Sequence, residues 1–229
     1  MTTMSSVLLM RLQGPMQAWG TQSLFPVRDT ARYPTRSGVI GLLCCALGKP
    51  RDGDLSEFGP LRLGVRADHP GVVMKDFQTA QEVYKAGGGV SDNPSISSRY
   101  YLSDAVFLVG IEGADVQLRG YYEALRHPRW LLYLGRRAFP PSKPVWLVDG
   151  LQTDTTLEET FEAFPYLCTE KNREKTSRLA MILEDDAGSV LQRDWPLSFG
   201  QRSFTQRRQT VRYIAVPDRC LEEVENVSE

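Results

Sequence analysis

Arginines on loops beside a helix start are the side chains of this sequence best suited to chemistry, and that chemistry is anion binding. The segment Arg32-Tyr33-Pro34-Thr35-Arg36-Ser37-Gly38 leads into a helical pattern. Free backbone N–H groups and the positive end of a helix dipole favour a phosphate at such a place. Arg36 and Ser37 add side-chain donors. A second segment, Gln13-Gly14-Pro15-Met16-Gln17-Ala18-Trp19-Gly20, offers two amides and an indole. A third, Gly135-Arg136-Arg137, places adjacent guanidiniums on a turn, and each planar fork can donate two parallel hydrogen bonds to one phosphate. Arg202, Arg207, Arg208 and Arg212 lie within residues 195–217, which hold no acidic side chain. Each element has a plainer alternative. An Arg pair is commonly solvated surface, Thr35 and Ser37 suit a helix cap, and Trp19 suits a core. Together the three Arg-bearing loops favour a polyanion.

Catalysis finds less support. The motifs G-x-S-x-G, G-x-x-x-x-G-K-[ST] and H-E-x-x-H do not occur. Asp185 and Asp186 would face opposite ways in a strand, and with Ala187-Gly188 they read as a hairpin turn. His69 and His127 both precede proline and read as structural. Cys44, Cys45, Cys168 and Cys220 form no C-x-x-C pair and read as reduced thiols of a cytoplasmic protein. No metal or cofactor is expected.

The elements that must position these residues follow from pattern. Residues 7–12 read as a strand ended by Gly14-Pro15. Thr35 or Ser37 caps a buried helix running to about Leu47, with Gly48 and Pro50 as stop signals. Strand signals at 61–65 and 71–74 precede residues 85–98, a Gly- and Ser-rich stretch that reads as a projecting loop. A strand over 100–111, a helix over 116–125, and strand-like runs at 130–134 and 145–148 complete the first part. The order is β-α-β-β-α-β, the ferredoxin-like pattern. Further strand signals stand at 179–183, 190–195 and 211–216. Glu222-Glu223-Val224-Glu225 reads as a solvated tail.

Composition sets outer limits. The chain has 229 residues, with 27 basic and 28 acidic side chains and 41% hydrophobic residues, the profile of an ordinary globular protein. Its longest apolar stretch, 39–48, is about 10 residues and too short to span a bilayer, and no secretory signal is expected. Residues 1–144 hold 17 basic and 12 acidic side chains, whereas residues 145–229 hold 10 and 16. A local basic face is compatible with a total near zero.

The segments 9–20, 33–43, 101–105 and 133–137 resemble, in order, the CasD family of Cascade, the type I-E CRISPR RNA-guided surveillance complex. The likeness covers about 8–146 and weakens afterwards, where only the Arg-rich stretch near 202–213 looks similar. It implies an α+β, ferredoxin-like (RRM-like) βαββαβ RNA-binding domain over 1–149. A β-hairpin thumb would be inserted at about 75–100, and a mostly β extension with an acidic tail would occupy 150–229. It further implies a non-catalytic subunit that holds the 5′ handle of the CRISPR RNA. The expected neighbours are a backbone subunit and the large PAM-reading subunit, with target DNA touched indirectly and no membrane. The aromatic RRM stacking signature is absent, so RNA is expected on loops and helix ends. On that reading Arg36, Ser37, Arg136 and Arg137 clamp phosphates. Arg11, Gln13, Gln17 and Trp19 contact bases or sugars. Arg32, Tyr101, Gly135, Lys143, Arg202 and Arg207 complete the RNA set, and Lys85, Val90, Ile96 and Arg99 belong to the thumb. The alternative is a metal-independent endoribonuclease that processes precursor RNA.

Overall fold

The computed structural model describes residues 5–20, 26–85 and 87–221. The elements in chain order are β1 (Ser5–Gln13), β2 (Met16–Gln17), β3 (Val27–Arg28), α1 (Arg36–Leu47), β4 (Arg62–His69), β5 (Val72–Ala80), β6 (Ser95–Ser103), β7 (Val106–Ala114), α2 (Asp115–Arg126), β8 (Trp146–Gln152), α3 (Leu157–Ala163), α4 (Glu170–Arg173), β9 (Leu179–Glu184), β10 (Val190–Ser198) and β11 (Ser203–Ile214). No helix among the described residues is long and apolar enough to cross a membrane.

A seven-stranded sheet in the order β10-β11-β9-β4-β7-β1-β8 organises the α+β chain, every pairing antiparallel. β1 and β7 are buried at consecutive residues because both sheet faces are covered. On one face Leu8, Met10 and Leu12 meet α1 and α2, and on the other Val7 and Leu9 meet Phe161 of α3. Thr35 caps α1 through the Gly38 N–H, and Gly48, at φ +73°, ends it. The Thr156–Glu159 capping box starts α3. A smaller sheet centres on β6, with β5 along one edge and the short β2 and β3 on the other. β5 and β6 form a long hairpin whose far end is closed by a Tyr84–Val90 bridge.

Several expectations need correction. The run 100–111 is two strands in two sheets, broken at Asp104, whose φ is +56°. Residues 95–98 belong to β6 rather than to a loop, because they pair with β5 from Ala80 backward. Residues 130–134 form no strand; Arg129 and Trp130 donate their N–H groups to Ala46 and Cys45 carbonyls at the end of α1. Asp185–Gly188 does turn, Gly188 N–H reaching Asp185 O at 2.8 Å. It joins β9 to β10, which are separated by β11, so it is not a hairpin turn. β9 to β11 extend the same sheet beyond β4, and β8 straddles residue 150. The acidic run at 222–225 lies outside the described residues.

Candidate nucleic-acid interface

Arg136 lies on the irregular segment between α2 and β8, and that segment is held in place. Leu134 and Phe139 are buried in the core. Ala18 N–H bonds Leu134 O at 3.1 Å, Leu134 N–H bonds Phe139 O at 2.8 Å, and Ser142 N–H bonds Gln13 O at 2.9 Å. Gly135 adopts φ +87°, and a Cβ there would stand 1.7 Å from Ala18 O. Only glycine fits both constraints. We expect Gly135→Ala to displace the loop and lower stability by more than about 1 kcal/mol. Chemical denaturation of the variant measures this, and an unchanged midpoint would refute it.

The Arg136 guanidinium turns from this loop toward the hairpin. Nη2 donates to Tyr100 O at 2.8 Å and Arg28 O at 3.3 Å, and the group lies 5.4 Å from the Phe139 ring centroid. Arg28 and Arg99 are direct cross-strand partners, so their side chains share a face of the smaller sheet. Burial first, then the neighbouring charges of Arg99 and Arg28, lower the Arg136 pKa; Asp76 and Asp29 act the other way. The result is three guanidiniums crowded at the root of a projecting hairpin. Crowded like charges of this kind are relieved by a polyanion. Tyr101 lies on the same sheet face, half-buried with its ring 6.1 Å from Phe139. The opposite hairpin face exposes Phe77, Ile96 and Val27. Lys85 is exposed near the tip, 3.8 Å from Asp92.

Arg36 is a correction. Its side chain is 2% exposed. Nη1 bonds Leu61 O at 2.9 Å and both Glu184 oxygens at 2.7 and 2.6 Å, and Nη2 bonds Phe58 O at 2.6 Å. The Trp195 ring covers it at 3.8 Å. Burial lowers its pKa, with the Glu184 charge opposing. Even its backbone N–H, one of the donors expected to meet a phosphate, is bonded to Asp194 Oδ2 at 2.8 Å. Arg207 is likewise interior, bonded to Asp194 at 2.7 and 2.9 Å.

Gln17 is fully buried, donating to Leu12 O and Ala105 O while accepting the Trp19 indole N–H at 3.2 Å. Trp19 is therefore core, and Arg11, buried with Nε 3.4 Å from Pro144 O, also faces inward. These three side chains are interior and do not line the candidate interface.

Other members of the expected set reach the surface. Ser37 and Gly135 line one groove with Arg51, Trp130, Tyr133 and Phe199, so the helix start and the Arg loop do converge, without Arg36. Arg32, Arg137 and Arg202 are exposed, and Gln13 and Lys143 are half-buried. Arg28 escaped the sequence reading because β3 is two residues long and shows no periodicity. Phe77 escaped because β5 continues past the apolar run that announces it. Burial pushes the Cys44 and Cys168 thiols up to about 12, which leaves them poor nucleophiles at neutral pH.

Comparison with known proteins adds to this geometry. Residues 7–214 match the family described as CRISPR-associated protein (Cas_Cas5). The chain is 36% identical over 163 residues to the CRISPR system Cascade subunit CasD of Escherichia coli (strain K12), covering 63% of this chain and 71% of that protein. Two solved structures are similar. One, described as the crystal structure of a Cas protein, has a TM-score of 0.75 and 41% identity over 92% of this chain and 97% of that one. The other, a chain of a CRISPR RNA-guided surveillance complex, has a TM-score of 0.78 and 32% identity over 97% of this chain and 100% of that one.

Proposed function

The chain belongs to the Cas5 family of CRISPR-associated proteins, and from that premise we propose that it is a non-catalytic subunit of a CRISPR RNA-guided surveillance complex, binding the 5′ handle of the guide RNA. The observation that carries this reading is the Arg28–Arg99–Arg136 cluster at the hairpin root. Its crowded charges and fixed loop suit a bent ribonucleotide backbone. The central order β4-β7-β1-β8, with α1 and α2 on one face, supports a ferredoxin-like, RRM-like unit carrying β9 to β11 as an extension. The β5–β6 hairpin serves as the thumb. Phe77 and Ile96, both exposed on one of its faces, join Val90 as residues able to wedge against a nucleotide. A backbone subunit and the large PAM-reading subunit are the protein neighbours on this reading, and target DNA is reached through them. The Cys44 and Cys168 thiols, buried and raised to about 12, do not favour chemistry on RNA.

Ultraviolet crosslinking of the purified complex tests the assignment. We expect handle nucleotides attached to peptides spanning 95–103 and 134–143, and repeat RNA left intact by the isolated chain in EDTA. Crosslinks confined to other subunits, or specific cleavage, would overturn it.

A further inference from the structure

We propose that the groove bounded by α1, residues 130–135 and the β10–β11 turn holds one splayed base of the guide RNA. The inference deepens the reading above and rests on it, because it seats a nucleotide beside the Arg28–Arg99–Arg136 cluster. The groove encloses about 410 Å³, a size usual for pockets that hold small ligands. Three aromatic residues, Trp130, Tyr133 and Phe199, line it. Its floor is α1 at Gly41, where an added Cβ would meet the Phe199 ring at 3.8 Å. Trp130 and Phe199 are fixed through their main chains. Trp130 N–H is bonded to Cys45 O at 3.2 Å, and Phe199 O accepts the Arg202 N–H at 3.4 Å. Trp130 nevertheless stays 46% exposed. An open groove of aromatic rings is a stacking platform for a base, since every base has a π-face.

Charge agrees with that occupant. Arg51 lines the groove and no carboxylate does. Arg51 gives its Nε to Phe199 O at 3.1 Å, which leaves the terminal nitrogens of the fork for a phosphate. Lys49 is paired with Glu57 at 2.9 Å and is not counted among the donors. Burial first, then the Cys45 thiol, raise the Tyr133 pKa, and the charges of Arg51 and Arg137 act the other way. Two guanidiniums therefore stand within electrostatic reach of this hydroxyl. Continuity selects RNA. Gly135 lines the groove, and the next residue, Arg136, turns to the hairpin root and bonds Tyr100 O. One turn borders both sites, so a strand held at Arg136 needs a single step to swing a base between the rings. Single-stranded RNA is commonly recognised through such splayed bases. An acidic peptide would also suit Arg51, but continuity with the Arg136 cluster favours the nucleotide. The β9–β11 extension gains a role, because Phe199 comes from it.

The full-length chain is titrated with a synthetic copy of the 5′ segment of the guide RNA recovered with the complex, and with copies in which one base at a time is replaced by an abasic ribose. Trp130→Ala should weaken the intact RNA about fivefold or more, the loss expected for one base–aromatic stack. One abasic copy should bind the parent as weakly. In Trp130→Ala the same omission should cost almost nothing further, because base and ring are already parted. The salt slope should stay that of the parent in Trp130→Ala and fall by about 0.7 in Arg51→Ala. Gly41→Leu fills the floor and should reproduce the Trp130 loss, whereas Gly41→Ala, in ordinary contact with Phe199, should bind like the parent. Omissions that cost the same in parent and Trp130→Ala, or unchanged binding by Gly41→Leu, would overturn the base pocket while the Arg28→Ala/Arg99→Ala slope still upholds the RNA site. In the assembled complex, p-benzoylphenylalanine in place of Trp130 should join to RNA on irradiation. An adduct to a protein subunit instead would refute the nucleotide as occupant. Complexes that lack guide RNA altogether would remove the premise, and the inference with it.

Discussion

Replacing Arg28, Arg99 and Arg136 together with alanine is expected to release the guide RNA handle. A hydrogen bond to a charged group contributes about 1.5–3 kcal/mol, so three lost phosphate contacts weaken binding by roughly a thousandfold or more. The salt dependence identifies the cause. Each neutralised phosphate on a single strand contributes about 0.7 to the slope of log K against log salt, so the triple variant should lose about 2 from that slope. Arg136 also bonds Tyr100 O and Arg28 O, and its loss alone could loosen the loop. The Arg28→Ala/Arg99→Ala pair removes this ambiguity. Arg28 is exposed and Arg99 only half-buried, so the thermal midpoint should stay near that of the parent while the slope still falls by about 1.4. A slope unchanged in the pair would refute the cluster as the RNA site.

The local grammar of the chain was readable because its signals are local. Thr35 with Gly38 and Gly48 fixes both ends of α1 through groups at most a few residues apart. The mixed α+β character, with α1 and α2 set between strands, follows from similar short-range cues. What escaped was set by distant partners. Arg36, one residue past a helix cap, has the local look of a phosphate donor, yet its carboxylate partner is Glu184, 148 positions away. No pattern near Arg36 announces that β9 to β11 will extend the sheet and cover it. The same holds for Arg207, which reads as one of four arginines in a stretch free of acids and is paired with Asp194 just outside that stretch. Arg136 and Gly135 were legible as a basic turn. Arg28 was not, because two residues of parallel pairing with β6 leave no trace in periodicity. The break at Asp104 was hidden for a different reason: apolar residues on both sides make one continuous run although they serve separate sheets.

This difference in the fate of the arginines leads to an opposite expectation for Arg36. Its alanine variant should unfold more easily by about 3–5 kcal/mol, because the Glu184 charge is left buried without its main partner. Against a typical total stability of about 5–15 kcal/mol, that is a large fraction, and a urea midpoint measures it. Glu184→Ala should cost a similar amount, since Arg36 and the Leu63 N–H both lose an acceptor. Joint replacement by apolar residues of similar volume should cost less than the two single changes added together, because neither charge is then stranded. Arg36→Lys should recover only part of the loss. An ammonium has no planar fork to span Glu184 and Phe58 O while lying flat under Trp195. RNA affinity per folded molecule should be untouched by Arg36→Lys, with the salt slope of the parent. A slope lowered by about 0.7, as for one lost phosphate contact, would return Arg36 to the interface and contradict the burial on which this assignment stands.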